Sequence, residues 1–292
     1  ENEPSFFLEK AMKVKITIVG LGLMGASLAQ ALKGFKESYI TGVDVDSAVL
    51  EKSLTEGMVD NATDDILEGV TDADLVIFSV YAKHIPKLLK SCIASLKPGV
   101  IITDICGVKQ DLYAKIMPVL PEDAAYVGIH PMAGKERDGI ENATASLYQN
   151  SSMLICPTPA STSEAINLME EIAKYIGCSR IQQVSCELHD AIIAYTSDLI
   201  HIASAGLCIH FHPDMNLAFT AGAFKDATRI ADINAEAWTE MLFENQKNVL
   251  DCLDVYIEDL QQIRIAVQEK DEVTLTALLN TAGHNKREIL TR

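Results

Sequence analysis

Residues 14–29 read Val14-Lys15-Ile16-Thr17-Ile18-Val19-Gly20-Leu21-Gly22-Leu23-Met24-Gly25-Ala26-Ser27-Leu28-Ala29, and this stretch decides how the chain folds. A β-branched run suited to a buried strand leads into a Gly-x-Gly-x-x-Gly turn, and helical spacing follows. Such glycines alone say little, since any tight turn uses them. Their setting is specific: a strand before, a helix after, and Asp44 at the end of the next strand-like run, 24 residues beyond Gly20. Gly20 permits the tight turn, Gly22 lets the backbone approach a pyrophosphate, and Gly25 allows helix and strand to pack closely. The helix start adds unpaired N–H groups and a partial positive charge. A dinucleotide site is therefore expected over Gly20, Leu21, Gly22, Leu23, Met24 and Gly25. Asp44 would accept hydrogen bonds from the adenosine ribose and repel a 2′-phosphate. Asp46 adds negative charge and no Arg follows at once, so NAD is favoured over NADP.

Working outward, short apolar runs at 39–43, 75–80, 100–103, 125–129 and 153–156 alternate with helical spacing at 27–32, 48–56 and 85–96. Residues 161–176 read as a further helix and 180–184 as a last strand. Alternating strands and helices imply βαβ units, an α/β Rossmann-type doubly wound and mostly parallel sheet covered on both faces. Ser79 and Val80, with Tyr81, end one run where such a sheet presents its carboxyl edge, and they are expected to touch the nucleotide. Asp104, ending the next run, joins that set. After residue 186 the texture changes to amphipathic helical stretches at 187–210, 217–230, 235–268 and 272–290. The stretch 191–207 is apolar on too many sides to face water alone, which places it in a buried helix or a dimer interface. The expected domains are 12–185 for nucleotide binding and 186–292 for an all-α substrate and dimerisation domain.

Composition agrees. At roughly 150 residues per domain, 292 residues suggest two domains. A hydrophobic share of 48% with 22% charged residues excludes a largely disordered chain. The net charge of −17 argues against nucleic acid and anionic membranes as partners, and requires a locally positive pocket for any anionic ligand. Seven scattered cysteines without a CxxC pair suggest reduced thiols in a cytoplasmic protein. No run reaches 18 uncharged apolar residues, and residues 1–11 lack the features of a secretory signal, so they read as a disordered extension or an expression remnant. His210 and His212 have the spacing of a metal pair but no evident third ligand, and no metal is expected.

Hydride transfer needs a group that polarises the substrate hydroxyl or takes its proton, and histidine suits that near neutral pH. His130, in Tyr126-Val127-Gly128-Ile129-His130-Pro131-Met132-Ala133-Gly134, sits at the carboxyl end of a buried run. With Thr103-Asp104-Ile105-Cys106-Gly107-Val108-Lys109, His189-Asp190, Ser197-Asp198-Leu199-Ile200-His201, the segment from Gly222 to Ala231 and Trp238, the chain resembles the prephenate/arogenate dehydrogenase family over residues 12 to about 254. The resemblance implies oxidative decarboxylation in tyrosine biosynthesis, with hydride passing to NAD while His130 draws the ring hydroxyl proton. It implies that Arg229 clamps a substrate carboxylate through its planar fork. His201 and Ser197 then match substrate-site positions, Glu136 an acidic residue near the entrance, Gly222 a close backbone approach, and Trp238 an aromatic that helps close the pocket.

The chain departs from that family at two positions. The family commonly carries a serine where Gly107 stands, and Asp198 replaces a usual histidine. A carboxylate facing the pocket would repel a dicarboxylate such as prephenate and pair with the ammonium of arogenate, so arogenate is the alternative substrate. The lost serine also admits a non-catalytic NAD-binding descendant, which intact His130 and Arg229 oppose. A β-hydroxyacid dehydrogenase would place a lysine on the first long helix after the boundary, and residues 187–213 contain none. With little sequence beyond the helices, any feedback by tyrosine is expected at the active site.

Overall fold

The computed structural model describes residues 13–135, 137–210, 212, 214–289 and 291. The expected extension at 1–11 and Glu136 lie outside them. In chain order the first part runs β1 (Lys15–Val19), α1 (Leu23–Ala31), β2 (Tyr39–Val43), α2 (Ser47–Thr55), β3 (Asn61–Thr63), α3 (Ile66–Val70), β4 (Leu75–Phe78), α4 (Ile85–Cys92), β5 (Ile101–Asp104) and α5 (Gln110–Ile116). It continues with β6 (Ala125–Pro131), β7 (Ser152–Pro157), α6 (Ser163–Tyr175) and β8 (Arg180–Gln183). The eight strands form one sheet in the order 3-2-1-4-5-6-7-8, parallel except where β7 runs antiparallel to β6.

Strand alternation builds the two layers. Ile16, Ile18, Leu75 and Ile77 point to one face and pack with Leu28 of α1, Leu32 at its C-cap, and Met169 and Ile172 of α6. Val19, Val76, Phe78 and Ile102 point to the other and pack with Val70, Leu89, Leu112 and Ile116. Helix starts are capped in sequence: Asp46, Asp65 and Thr162 each accept a backbone N–H at the head of α2, α3 and α6. The strand missing from the sequence reading, β3, is the three-residue edge segment Asn61-Ala62-Thr63, too short and polar to show a pattern. Strand order reverses between β1 and β4, so the ligand crevice opens above their carboxyl ends.

The second part is helical: α7 (Cys186–Ile193), a π-turn (Ala194–Asp198), α8 (Leu199–Ile209), α9 (Gly222–Thr228), α10 (Ala235–Glu244), α11 (Gln246–Glu269) and α12 (Glu272–Ile289). Two expected helices differ. The stretch 217–230 holds a short 3₁₀ turn and then α9, and 235–268 breaks at Asn245, which is buried and hydrogen-bonds sideways. The continuous helix Cys186–Ile209, with mean hydropathy 1.5, is long and apolar enough by length and composition to cross a membrane, although it is not an uncharged run. Its buried His189 and Asp190 bond to His130 and Lys109 of the sheet domain, and its buried Asp198 bonds to Asn245 of the helical part. His210 directly follows α8, and His212 is exposed and accepts from the Asp214 N–H.

Candidate active site

The nucleotide loop is built by backbone. Gly20 has φ +95°, and a Cβ there would stand 2.4 Å from the Ser79 carbonyl oxygen and 2.7 Å from Val80 Cγ1. A Cβ on Gly25 would fall 1.9 Å from the Gly20 oxygen, so only glycine lets α1 seat against this turn. Around Gly22, by contrast, an added Cβ meets nothing within 4 Å. Gly22 is the N-cap of α1 and supplies no capping side chain, and the first turn holds no acidic residue. Open space faces uncapped N–H groups, which fits a pyrophosphate. Asp44 is half-buried at the end of β2; its carboxylate accepts from Leu21 N (2.8 Å) and Asp46 N (3.0 Å). Further lone pairs remain for ribose hydroxyls. Ser79 and Val80 are partly buried beside Gly20 and wall this crevice. These residues fit a dinucleotide.

Asp104 has another task. It is fully buried, and its carboxylate accepts from Lys109 Nζ (2.5 Å), Tyr126 OH (2.6 Å) and Cys106 N (2.9 Å). A carboxylate so engaged inside the sheet domain neutralises the buried Lys109 and holds the loop after β5.

That loop carries Gly107 toward His130. A Cβ on Gly107 would lie 3.9 Å from His130 Nε2 and 3.6 Å from Met241 Sδ of α10. His130 therefore stands at the carboxyl end of β6 between the two parts of the chain, half-buried. Burial, with His189 and the Lys109 cation nearby, holds its imidazole well below the usual histidine range. Its Nδ1 lies 2.9 Å from His189 Nε2 of α7, and His189 Nδ1 lies 2.7 Å from Asp190 Oδ1. Asp190 also accepts Lys109 N (2.9 Å) and Gln110 N (2.8 Å), capping α5 from the other part of the chain. Asn245 Nδ2 donates to the Asp190 carbonyl (2.9 Å) and to Asp198 Oδ2 (3.1 Å).

The other expected substrate residues are distributed unevenly. His201 and Trp238 meet, ring centroids 3.7 Å apart, and His201 Nδ1 donates to the Ser197 carbonyl (2.9 Å). Asp198 does not stand open to the pocket: it is buried in the π-turn against Asn245, and burial pushes its carboxyl up to about 6. Gly222 begins α9 and Arg229 follows its end, both exposed, with α9 packed beside α8. Sequence reasoning gave no role to His189, Asp190, Lys109 or Asn245. The signal that was there is a His-Asp pair set between Leu188 and Ala191 on an otherwise apolar helix, since buried polar groups need partners.

Residues 28–182 match the family model of the prephenate dehydrogenase nucleotide-binding domain, and residues 185–281 that of the prephenate dehydrogenase dimerization domain. The chain belongs to the prephenate dehydrogenase family. Within it, the chain is 30% identical to the prephenate dehydrogenase of Bacillus subtilis, across 93% of this chain and 75% of that protein. It is 31% identical to the cyclohexadienyl dehydrogenase of Zymomonas mobilis, across 88% of this chain and 89% of that protein. The crystal structure of the A. aeolicus prephenate dehydrogenase, in complex with hydroxyphenyl propionate and NAD+, superposes with a TM-score of 0.85 at 26% identity, covering 96% of this chain and all of that one.

Proposed function

We propose that this chain catalyses the NAD-dependent oxidative decarboxylation of prephenate to 4-hydroxyphenylpyruvate, a step of tyrosine biosynthesis, in the cytoplasm and as a homodimer. Its nucleotide-binding domain spans 12–185 and its substrate and dimerisation domain 186–292. The observation that carries the reading is His130 at the sheet's carboxyl edge, bordered by Gly107 and by Met241 from the helical part, with burial holding its imidazole well below the usual histidine range.

Bound NAD supplies the hydride acceptor. His130 draws the proton of the ring hydroxyl as hydride leaves the carbinol carbon. The ring carboxylate departs as CO2, its bonding electrons complete the aromatic ring, and the phenolate oxygen takes the proton back, so no net proton is exchanged. Aromatisation drives the step, leaving the protein to orient the ring and answer charge as it develops. Arg229 clamps a carboxylate, Trp238 and His201 together form an aromatic wall, and Ser197, Gly222 and Glu136 complete the substrate set. The arogenate alternative depends on an Asp198 carboxylate facing the pocket, and that carboxylate is hydrogen-bonded to Asn245.

NADH formation with each substrate tests this. Prephenate is expected to exceed arogenate in kcat/KM, unchanged in order by Asp198→His. His130→Asn should keep NADH binding and lose about 10³-fold in kcat. Turnover retained in that variant would reject the role of His130, and no turnover of either substrate by the unmodified chain would favour the non-catalytic descendant. The homodimer rests on apolar side chains left exposed on one helical region, among them Leu188, Ile192, Tyr195, Ile200 and Leu207 of the 186–209 helix. Light scattering should return twice the chain mass.

A further inference from the structure

We infer that His189 and Asp190 are positioning residues that decide which nitrogen of His130 carries the proton; this rests on the reading of His130 as the group that draws the hydroxyl proton. Asp190 is an acceptor, already receiving the Lys109 and Gln110 N–H groups, so its 2.7 Å contact with His189 requires the proton on His189 Nδ1. His189 is buried, and burial lowers its pKa first, ahead of the opposing pull of Asp190. It is neutral near pH 7, and its Nε2 is then a bare acceptor. The 2.9 Å contact between that atom and His130 Nδ1 requires the His130 proton on Nδ1. A neutral His130 so protonated turns an unprotonated Nε2 toward Gly107, the side from which the substrate hydroxyl is addressed.

The same chain of bonds serves the charged state. When His130 accepts a proton at Nε2, its Nδ1–H keeps its acceptor on His189, and Asp190 stands behind His189 to stabilise the positive charge. The charged groups around the pair are Lys109, which opposes that charge, and Asp104 and Asp190, which offset it. Because Asp190 also caps α5, the helix that follows the Gly107 loop, one carboxylate from the helical domain fixes both the loop and the relay. His130 becomes a competent base only where the two domains are docked.

The test is the protonation state of His130, read by long-range 1H–15N NMR on histidine-labelled protein and assigned by loss of the signal in His130→Asn. The wild type is expected to carry the His130 proton on Nδ1, and His189→Leu to move it to Nε2. In kinetics, His189→Leu should lose about 10²–10³-fold in kcat with the NADH dissociation constant unchanged. His189→Gln, whose amide oxygen can accept the Nδ1–H, should recover to within about 10-fold of wild type. In the serine-protease triad, turnover falls about 10⁴-fold when the buried acid becomes an amide and the histidine tautomer inverts. A wild-type His130 protonated at Nε2 overturns the inference whether or not any variant folds. Equal activity of the Leu and Gln variants overturns it as well. Absence of prephenate turnover by the wild type would instead reject the proposed function, leaving the NMR result to judge the relay.

Discussion

The nucleotide loop and the interdomain cleft solve opposite problems with opposite materials. The loop recognises charge with backbone: Gly20, Gly22 and Gly25 lie within six consecutive residues, and Asp44 and Ser79 come from the strands on either side of β1. The cleft gathers histidine, carboxylate and amide side chains from distant segments. His130 is on β6, Gly107 follows β5, His189 and Asp190 are on α7, and Asn245 separates α10 from α11. A dipole and a row of N–H groups are properties of local backbone geometry. The protonation of an imidazole is a property of whatever faces its two nitrogens, and here one of those neighbours comes from the other half of the chain.

The sharpest way to break this contrast is at Gly25. A valine there must push its Cβ against the Gly20 carbonyl, 1.9 Å away, which no rotamer relieves. We expect NADH affinity to fall at least about 100-fold, near 3 kcal/mol, in a fluorescence titration. Retained affinity would show that the loop does not depend on local backbone fit.

Asp198 gives the next effect, on stability. Its carboxyl is raised from 3.8 to about 6 by burial, so the folded state resists its ionisation. The folded protein therefore loses stability as pH rises from about 4 to about 6, and the cost is constant above that. Asp198→Asn keeps an oxygen acceptor for Asn245 and removes the charge. At fixed protein concentration it should be more stable than wild type by roughly 2–3 kcal/mol at pH 8 and equal to it at pH 4, in urea unfolding. An equal difference at both pH values would show that the buried charge is not the cause.

Gly107 carries the smallest expected effect. The 3.9 Å from its virtual Cβ to His130 Nε2 leaves ordinary room, with Met241 Sδ at 3.6 Å as the other neighbour. Gly107→Ser should place a hydroxyl beside His130 Nε2 and raise kcat/KM for prephenate by about 3-fold. A fall in kcat/KM would mean that the cleft has reorganised around the glycine.

Legibility in the sequence follows the same contrast. The order of strands and helices was readable because a doubly covered parallel strand must be a nearly unbroken apolar run, as at Leu75–Phe78, whereas the polar edge strand at Asn61–Thr63 left no trace. The surroundings of Asp104 and Asp198 were hidden for a shared reason. A carboxylate in the sequence states its charge but not its partners: Lys109 and Tyr126 engage the first, and Asn245 holds the second. The long helical pattern from 235 to 268 hid a break because Asn245 fits a helix by spacing and leaves it only to satisfy Asp190 and Asp198.

By itself, then, the sequence determined the βαβ order, the glycine turn with its nucleotide-binding geometry, and His130 as the residue to watch. Each of these is set by steric and hydrophobic demands that act within one or two consecutive elements. Only the tertiary structure decided that Asp104 is an anchor, that Asp198 is buried, and that His130 faces His189 and Asp190 across the two halves. Those outcomes depend on which polar groups must find partners once water is excluded, and their partners lie 5 to 59 residues away in the chain.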